Sequence, residues 1–188
     1  MRKIILASKS PRRQELLKDI VTDFLIDPSD AQEVVPAYTT AEDIPQLLAK
    51  LKACDISKKH PDDIVIGSDT LVISDGAVLT KPRDDAHAFE MLRMLSGKTH
   101  KVITGCAIKC GEKERTFSVE TVVEFYKLTD AEINEYIKTG DCIDKAGAYG
   151  IQSYGKTLVK SISGDYFNVV GLPVARLKRE LDVFMAEI

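Results

Sequence analysis

The stretch KIILASKSPRRQELLK, residues 3–18, predicts a buried strand that leads directly into a helix. The apolar run at its start has the length and composition of a short buried strand. Ser10 is a favourable N-cap residue, and Pro11 at the first helical position loses no hydrogen bond. Leu16 and Leu17 then supply the apolar face of the helix. A strand that passes at once into a helix is typical of α/β proteins.

The rest of the chain continues this alternation of strands and helices. Further strands are predicted at residues 23–27, 63–69, 71–79 (a hairpin turning at Asp75-Gly76), 100–109, 115–127 and 157–162. Further helices are predicted to begin at Asp43, at Asp84 or Asp85, at the capping box of Thr129 and Glu132, and at Pro173. Loops are predicted at residues 144–154 and 163–172. With no internal repeat and no long linker, we expect one α/β domain over residues 1–188, a mixed β-sheet with flanking helices.

The composition is that of a folded globular protein. Apolar residues make up 44% of the 188 residues and charged residues 29%, which excludes a disordered or low-complexity chain. No apolar run approaches a membrane span, and the run after Met1-Arg2-Lys3 is too short for a signal peptide, so we expect a cytoplasmic protein. The four cysteines lack the spacing of a zinc site, and a net charge of −3 gives no bulk attraction to nucleic acid. Neither a P-loop nor a Rossmann fingerprint is present.

Charge is distributed unevenly along the first 48 residues. Residues 1–18 carry six basic side chains and one acidic one, whereas residues 19–48 carry seven acidic side chains and no Lys or Arg. A basic segment followed by an acidic one is the pattern expected of a site that binds an anion together with a divalent cation. Two solvated faces of opposite charge would give the same pattern, and on charge alone they are the simpler explanation.

Arg12 and Arg13 fall in the first turn of the first predicted helix, where the helix dipole disfavours positive charge. The sequence places no acidic residue in that turn, and Glu15 is the nearest. A bound anion would resolve this conflict, because backbone amides, the hydroxyl of Ser8 and two guanidinium groups together suit a phosphate. The alternative is a surface helix whose arginines extend into water.

Four further residues are candidates for a site. Asp69 follows the apolar run IVIG at the predicted end of a strand, where a carboxylate can bind Mg²⁺ or deprotonate a water, although an Asp that caps a turn is commoner. Lys52 and Lys81 are placed to reach a cleft, yet each can also be an ordinary solvated lysine. Gln152 has the donor and acceptor needed to recognise a nucleobase edge. Tight turns alone would also explain the glycines around it.

Several segments together resemble the Maf family of nucleoside triphosphate pyrophosphatases. The matching motifs, in family order, are LASKSPRRQELL (residues 6–17), IGSDTLV (66–72), KP (81–82), LSGKTHKVITG (95–105), DKAGAYGIQ (144–152) and NVVGLP (168–173). They span nearly the whole chain, and six ordered motifs are far more specific than any one alone. The form DKAGAYGIQ is similar to that of the branch acting on dTTP and UTP.

The resemblance implies two lobes around a central cleft, and hydrolysis of dTTP and UTP, with modified pyrimidine nucleotides as further candidates, to the monophosphate and pyrophosphate. It implies that Asp69 is the proton acceptor and that Glu33 and Asp69 hold a divalent metal cation, Mg²⁺ or Mn²⁺. The residues that match substrate-specificity positions are Arg12, Thr70 and Gln152. The residues that match phosphate-binding positions are Ser8, Arg13, Lys52 and Lys81. The partner it implies is a nucleoside triphosphate, without nucleic acid or membrane, and a homodimer is compatible with it.

The sequence departs from the usual family motifs at four places, none of them a predicted reactive residue. These are Ser68 for Ala, Thr80 for Gly, Asp141-Cys142 for Glu-Pro, and Ser153 for Gly. Thr80 bears on the site because Thr resists positive φ, which affects the backbone expected at the neighbouring lysine.

Two other functions are compatible with the same features. One is a purine triphosphate pyrophosphatase of the ITP and XTP type, which would use a similar cleft. The other is a regulator of septum formation that acts through partner binding. Nucleotide preference would separate the first from a dTTP/UTP enzyme. The intact set of Arg12, Arg13, Lys52, Asp69 and Lys81 argues against a loss of catalysis, although partner binding can coexist with it.

Overall fold

The structure is a computed structural model that describes residues 2–188, and it is built on a seven-stranded mixed sheet. The strands are β1 (Ile4–Leu6), β2 (Leu25–Ile26), β3 (Ile64–Ser74), β4 (Ala77–Leu79), β5 (Thr99–Cys110), β6 (Lys113–Phe125) and β7 (Val159–Ser163). The helices are α1 (Pro11–Lys18), α2 (Ile44–Lys59), α3 (Asp85–Leu95), α4 (Asp130–Lys138), α5 (Tyr166–Val170) and α6 (Val174–Glu187).

The sheet combines parallel and antiparallel pairs. Its strands lie in the order β2-β1-β3-β5-β6-β7, and β4 pairs with β3. β1 is parallel to both β2 and β3, whereas β4 is antiparallel to β3 and β7 is antiparallel to β6. The predicted mixed sheet with flanking helices is therefore confirmed. No helix within residues 2–188 is long and apolar enough to cross a membrane.

The chain packs as two compact units. The first contains the residues up to Asp69 together with Thr104–Val119 and Gly171–Ile188, and the second contains Thr70–Ile103 and Glu120–Val170. A core cluster of the first unit joins α2 to the sheet through Ile5, Ala7, Ala49, Ala53, Ile56, Val65 and Ala107. The core of the second unit joins α3 and α4 to the sheet and includes Val72, Leu92, Leu95, Phe125, Ile133 and Tyr149.

Two glycines allow α2 to lie directly on the sheet of the first unit. A Cβ atom on Gly67 would lie 2.2 Å from the carbonyl oxygen of Ala49, and one on Gly105 would lie 2.3 Å from that of Pro45. Backbone cannot yield to contacts this short, so any side chain at either position would push the helix away. Lys52 is three residues beyond Ala49 on α2, and this close approach therefore brings it near β3.

The prediction that a strand ends at Asp69 is wrong, because β3 continues to Ser74. The residues beyond Asp69 are mostly buried, and β4 pairs with this second half of the strand. The predicted hairpin turn at Asp75-Gly76 is confirmed. Both residues have positive φ, 49° and 78°, as a two-residue hairpin turn of type I′ requires.

Two further elements differ from the sequence-based expectation. The predicted loop at residues 163–172 contains the short helix α5, whose aromatic and β-branched residues give no helical signal. The predicted strand at residues 23–27 is reduced to the two residues of β2. The capping box of Thr129 and Glu132 is present as predicted and begins α4.

Candidate active site

Serine hydroxyls organise the turn between β1 and α1. Ser10 caps α1 by accepting a hydrogen bond from the backbone N–H of Arg13 at 3.4 Å, which confirms the predicted N-cap. The buried hydroxyl of Ser8 accepts hydrogen bonds from the backbone N–H of Ser10 and from the guanidinium of Arg13, both at 3.3 Å. The first turn of α1 contains no acidic residue. The structure therefore leaves the positive end of this helix without an acidic residue of its own.

The guanidinium of Arg13 is bound to the main chain of the first unit. Its Nε donates to the carbonyl oxygen of Gly171 at 2.8 Å, and its Nη1 donates to that of Ser68 at 2.9 Å. Burial lowers the pKa of Arg13, while the negative charge of Asp69 acts in the opposite direction. Arg13 thus fixes the residue that directly precedes Asp69. Its contact with phosphate stays a prediction. Its hydrogen bonds to two backbone carbonyls also give Arg13 a structural role.

Lys52 brings together the two predicted metal ligands. Its Nζ lies 2.5 Å from Oδ1 of Asp69 and 3.0 Å from Oε1 of Glu33. Side chains alternate along a strand, so Asp69 lies on the same face of β3 as Gly67, the face that α2 covers. The side chains of Asp69 and Lys52 are only 14% and 17% exposed, which strengthens the attraction between their charges.

The donor set of Glu33 and Asp69 suits a hard divalent cation. Mg²⁺ is usually held by one or two carboxylates together with substrate phosphates and waters, rather than by an all-protein cage. Across residues 2–188, no group of three or more His, Cys, Asp or Glu side chains is arranged to hold a metal ion. A cation at this pair of carboxylates would therefore need oxygens from the substrate, and it would share the two carboxylates with the ammonium of Lys52.

Of the other predicted residues, Arg12 lies in the first turn of α1, and Thr70, Lys81 and Gln152 belong to the second unit. Thr70 is half-buried in β3, whereas Lys81 and Gln152 are exposed. Neither Thr80 nor Lys81 has a positive φ, so threonine causes no strain at this point. The carbonyl oxygen of Thr80 accepts a hydrogen bond from the N–H of Gly147 at 3.1 Å. This bond ties the segment before Lys81 to the loop that carries Gln152.

Sequence reasoning missed the residues that hold the site in place. Gly67 and Gly105 could have been identified, because a glycine within a buried strand indicates close backbone approach. Ser68 and Gly171 have no comparable signal, although the hydroxyl of Ser68 donates to the carbonyl oxygen of Gly171 at 3.2 Å. No sequence pattern indicates that the backbone carbonyl of Gly171 accepts hydrogen bonds from two distant side chains.

A sequence model of the Maf-like protein family matches residues 3–184. The chain belongs to the Maf-like protein family. This Maf-like protein is 49% identical over 188 residues to a dTTP/UTP pyrophosphatase of Bacillus mycoides (strain KBAB4), covering 100% of this chain and 98% of the relative. It is 50% identical over 184 residues to a dTTP/UTP pyrophosphatase of Bacillus cytotoxicus, covering 98% of this chain and 96% of the relative. The family predicted from the motifs is confirmed.

Two solved structures resemble this Maf-like protein in fold. The Staphylococcus aureus Ham1 protein matches with a TM-score of 0.57 at 15% identity, covering 96% of this chain and 98% of that one. A HAM1 protein from Coxiella burnetii matches with a TM-score of 0.55 at 13% identity, covering 97% and 99%. At these identities the likeness supports the α/β fold alone.

Proposed function

We propose that this protein is a nucleoside triphosphate pyrophosphatase that hydrolyses dTTP and UTP to the nucleoside monophosphate and pyrophosphate. The observation that carries the proposal is the carboxylate of Asp69, held by Lys52 in a chain whose full-length relatives are named dTTP/UTP pyrophosphatases. The residues expected to touch phosphate and base accompany it in the same sequence order as the family motifs.

The reaction needs one water and one proton acceptor. The water oxygen forms a bond to the α-phosphorus, the bond from that phosphorus to the α–β bridging oxygen breaks, and pyrophosphate leaves with the electron pair. Lys52 fixes the Asp69 carboxylate by donating to Oδ1, and Oδ2 is the oxygen that accepts the proton from the water. A group positioned in this way contributes about 10²–10⁴-fold to a hydrolysis rate.

Charge stabilisation is the second requirement, because phosphoryl transfer depends mainly on positioning and electrostatics. Ser8 and the amino end of α1 offer donors for phosphate oxygens, with Arg12, Lys52 and Lys81 as the cations. Glu33 and Asp69 would hold a divalent cation. When bound, it would neutralise phosphate charge and make a coordinated water more acidic.

Base selection is assigned to Gln152, with Thr70 and Arg12 as the other specificity residues. Gln152 is exposed and forms no hydrogen bond within residues 2–188, so both its donor and its acceptor remain for a ligand. An amide that pairs with a pyrimidine edge discriminates because the wrong base leaves it unpaired, which costs about 1–3 kcal/mol.

The test is pyrophosphate release from dTTP, UTP, CTP, ITP and XTP, each measured with and without Mg²⁺. The proposal predicts the highest kcat/KM for dTTP and UTP, and a rate that depends on the cation. A preference for ITP or XTP would replace this proposal with the purine enzyme. No hydrolysis of any nucleotide would leave partner binding as the function of the fold.

A further inference from the structure

A half-buried carboxylate at the end of α4 gathers donors from three different places. Asp141 accepts a hydrogen bond from the phenolic hydroxyl of Tyr136 at 3.0 Å, and the ammonium of Lys145 lies 3.1 Å from its Oδ1. The hydroxyl of Ser153 donates to the same Oδ2 atom that Tyr136 contacts. Asp141 therefore joins the helix to both ends of the loop that runs to Ser153.

Tyr136 and Lys145 extend this network into the middle of the loop. The hydroxyl of Tyr136 also accepts a hydrogen bond from the backbone N–H of Gly150 at 3.1 Å. The ammonium of Lys145 donates to the carbonyl oxygen of Asp141 at 2.7 Å, and its stem fills the space beside Gly150. A Cβ on Gly150 would lie 2.5 Å from Cε of Lys145. The loop is thus held at Gly150 from two sides.

The protonation states agree with this arrangement of donors and acceptors. Burial raises the pKa of Asp141, but hydrogen bonds from Ser153, Lys145 and Tyr136 outweigh it and lower the pKa below its usual value. Burial raises the pKa of Tyr136 well above its usual value. Asp141 is therefore an ionised acceptor at neutral pH, and Tyr136 is a protonated donor.

Gln152 lies between two fixed neighbours. Ile151 is buried, and Ser153 is bonded to Asp141, whereas the side chain of Gln152 itself is exposed. A long amide side chain has many rotamers, and holding the backbone on both sides restricts where it can reach. The geometry of the network therefore limits the positions available to the amide of Gln152, the group assigned to pair with the base edge.

We propose that Asp141 is a positioning residue for nucleotide selection, which holds the turn at residues 151–153 so that the amide of Gln152 meets the pyrimidine edge. This inference deepens the proposed function and rests on it. Tyr136, Lys145 and Ser153 all contact the carboxylate of Asp141, and Ser153 is the one adjacent to Gln152 in the sequence. Loss of the Ser153 bond should loosen the turn without touching the groups that act on phosphate.

The experiment compares Asp141→Asn and Ser153→Ala with the wild-type protein on dTTP, UTP and ITP. Each variant should lose about five- to tenfold of the preference for pyrimidine nucleotides, with the loss in KM for dTTP rather than in kcat. Ser153→Thr keeps the hydroxyl and should restore the preference. Glu135→Gln removes an exposed carboxylate from α4, the helix that carries Tyr136, and serves as the matched control, with an unchanged nucleotide profile.

A double-mutant cycle separates positioning from general destabilisation. In a Gln152→Ala background, Asp141→Asn should cause no further change in nucleotide preference, because its effect passes through Gln152. Amide exchange at Gly150 should speed up in Tyr136→Phe whether or not nucleotide is present, and thermal melts by circular dichroism verify that each variant folds. If Asp141→Asn fails to fold, Ser153→Ala carries the cycle.

The possible failures are distinguishable. A wild-type protein with no pyrimidine preference would overturn the proposed function and this inference together. A wild-type preference that Gln152→Ala abolishes but that both Asp141→Asn and Ser153→Ala retain would overturn the inference alone. Equal effects of Asp141→Asn with and without Gln152 would also overturn it, because the carboxylate would then act by another route.

Discussion

Lowering the pH should destabilise the protein through His100, a buried histidine of the second unit. His100 is 3% exposed, its Nε2 lies 2.8 Å from the hydroxyl of Tyr149, and its Nδ1 has no hydrogen-bond partner within residues 2–188. The rings of Phe125 and Tyr149 pack against it edge to face, with centroids at 5.0 Å and 5.4 Å. This largely apolar setting accommodates the neutral imidazole and, within residues 2–188, offers no ion pair to the charged form.

The magnitude follows from the difference between folded and unfolded pKa values. Burial lowers the pKa of His100 from 6.5 to about 4. The unfolded state therefore binds the proton more tightly, and stability is lost as the pH falls from 6.5 towards 4. The loss is about 2 kcal/mol at pH 5 and about 3 kcal/mol at pH 4, since one pKa unit corresponds to about 1.4 kcal/mol. Above pH 7 the histidine contributes no pH dependence.

The assay is urea unfolding at pH 7.5 and pH 5 for the wild-type protein and for His100→Phe, which keeps a ring but cannot titrate. The pH-dependent loss should be smaller in the variant by about 2 kcal/mol, or about 5 °C in Tm for a chain of this size. His87→Gln, at a partly exposed histidine of the same unit, is measured in parallel to show whether the effect is specific to the buried histidine. An identical pH dependence in wild type and His100→Phe would refute the reasoning.

Three further variants test how the site is built. Gly67→Ala should destabilise the protein by about 1–3 kcal/mol in urea unfolding and lower dTTP hydrolysis, because its Cβ would collide with the backbone of α2. An unchanged stability would contradict the close approach of α2 to β3. Arg13→Ala should reduce kcat/KM for dTTP at least about tenfold, since it removes bonds that fix the residue before Asp69; wild-type kinetics would contradict this. Gln152→Ala should lower the preference for dTTP over ITP about tenfold in the same assay, and an unchanged profile would show that another residue selects the base.

Much of the fold was predictable because its signals are local. The N-cap at Ser10, the capping box at Thr129 and the hairpin turn at Asp75-Gly76 are each encoded within a few residues. The end of β3 was not predictable in the same way. A charged residue such as Asp69 looks like a strand end, and only pairing with β4 shows that the strand continues.

The candidate site was also predictable only in part. The family resemblance assigned Glu33, Lys52 and Asp69 to one site, and the structure places the ammonium of Lys52 next to both carboxylates, whereas the roles of the three residues stay predictions. The hydrogen bonds that hold the site residues in place join segments that are far apart in the sequence, so they depend on how the chain packs. The carbonyl oxygens that bind Arg13 and the hydroxyl that binds Asp141 could not be assigned from sequence, because any polar group at the right distance would serve.

The most direct test of the central claim is single-turnover hydrolysis of dTTP by Asp69→Asn, with nucleotide binding measured separately by calorimetry. The substitution keeps the size of the side chain but removes its charge and its ability to accept a proton. We expect hydrolysis to fall about 10²–10⁴-fold in a folded protein that still binds dTTP. Hydrolysis within a few-fold of the wild-type rate would show that Asp69 is neither the proton acceptor nor an essential metal ligand.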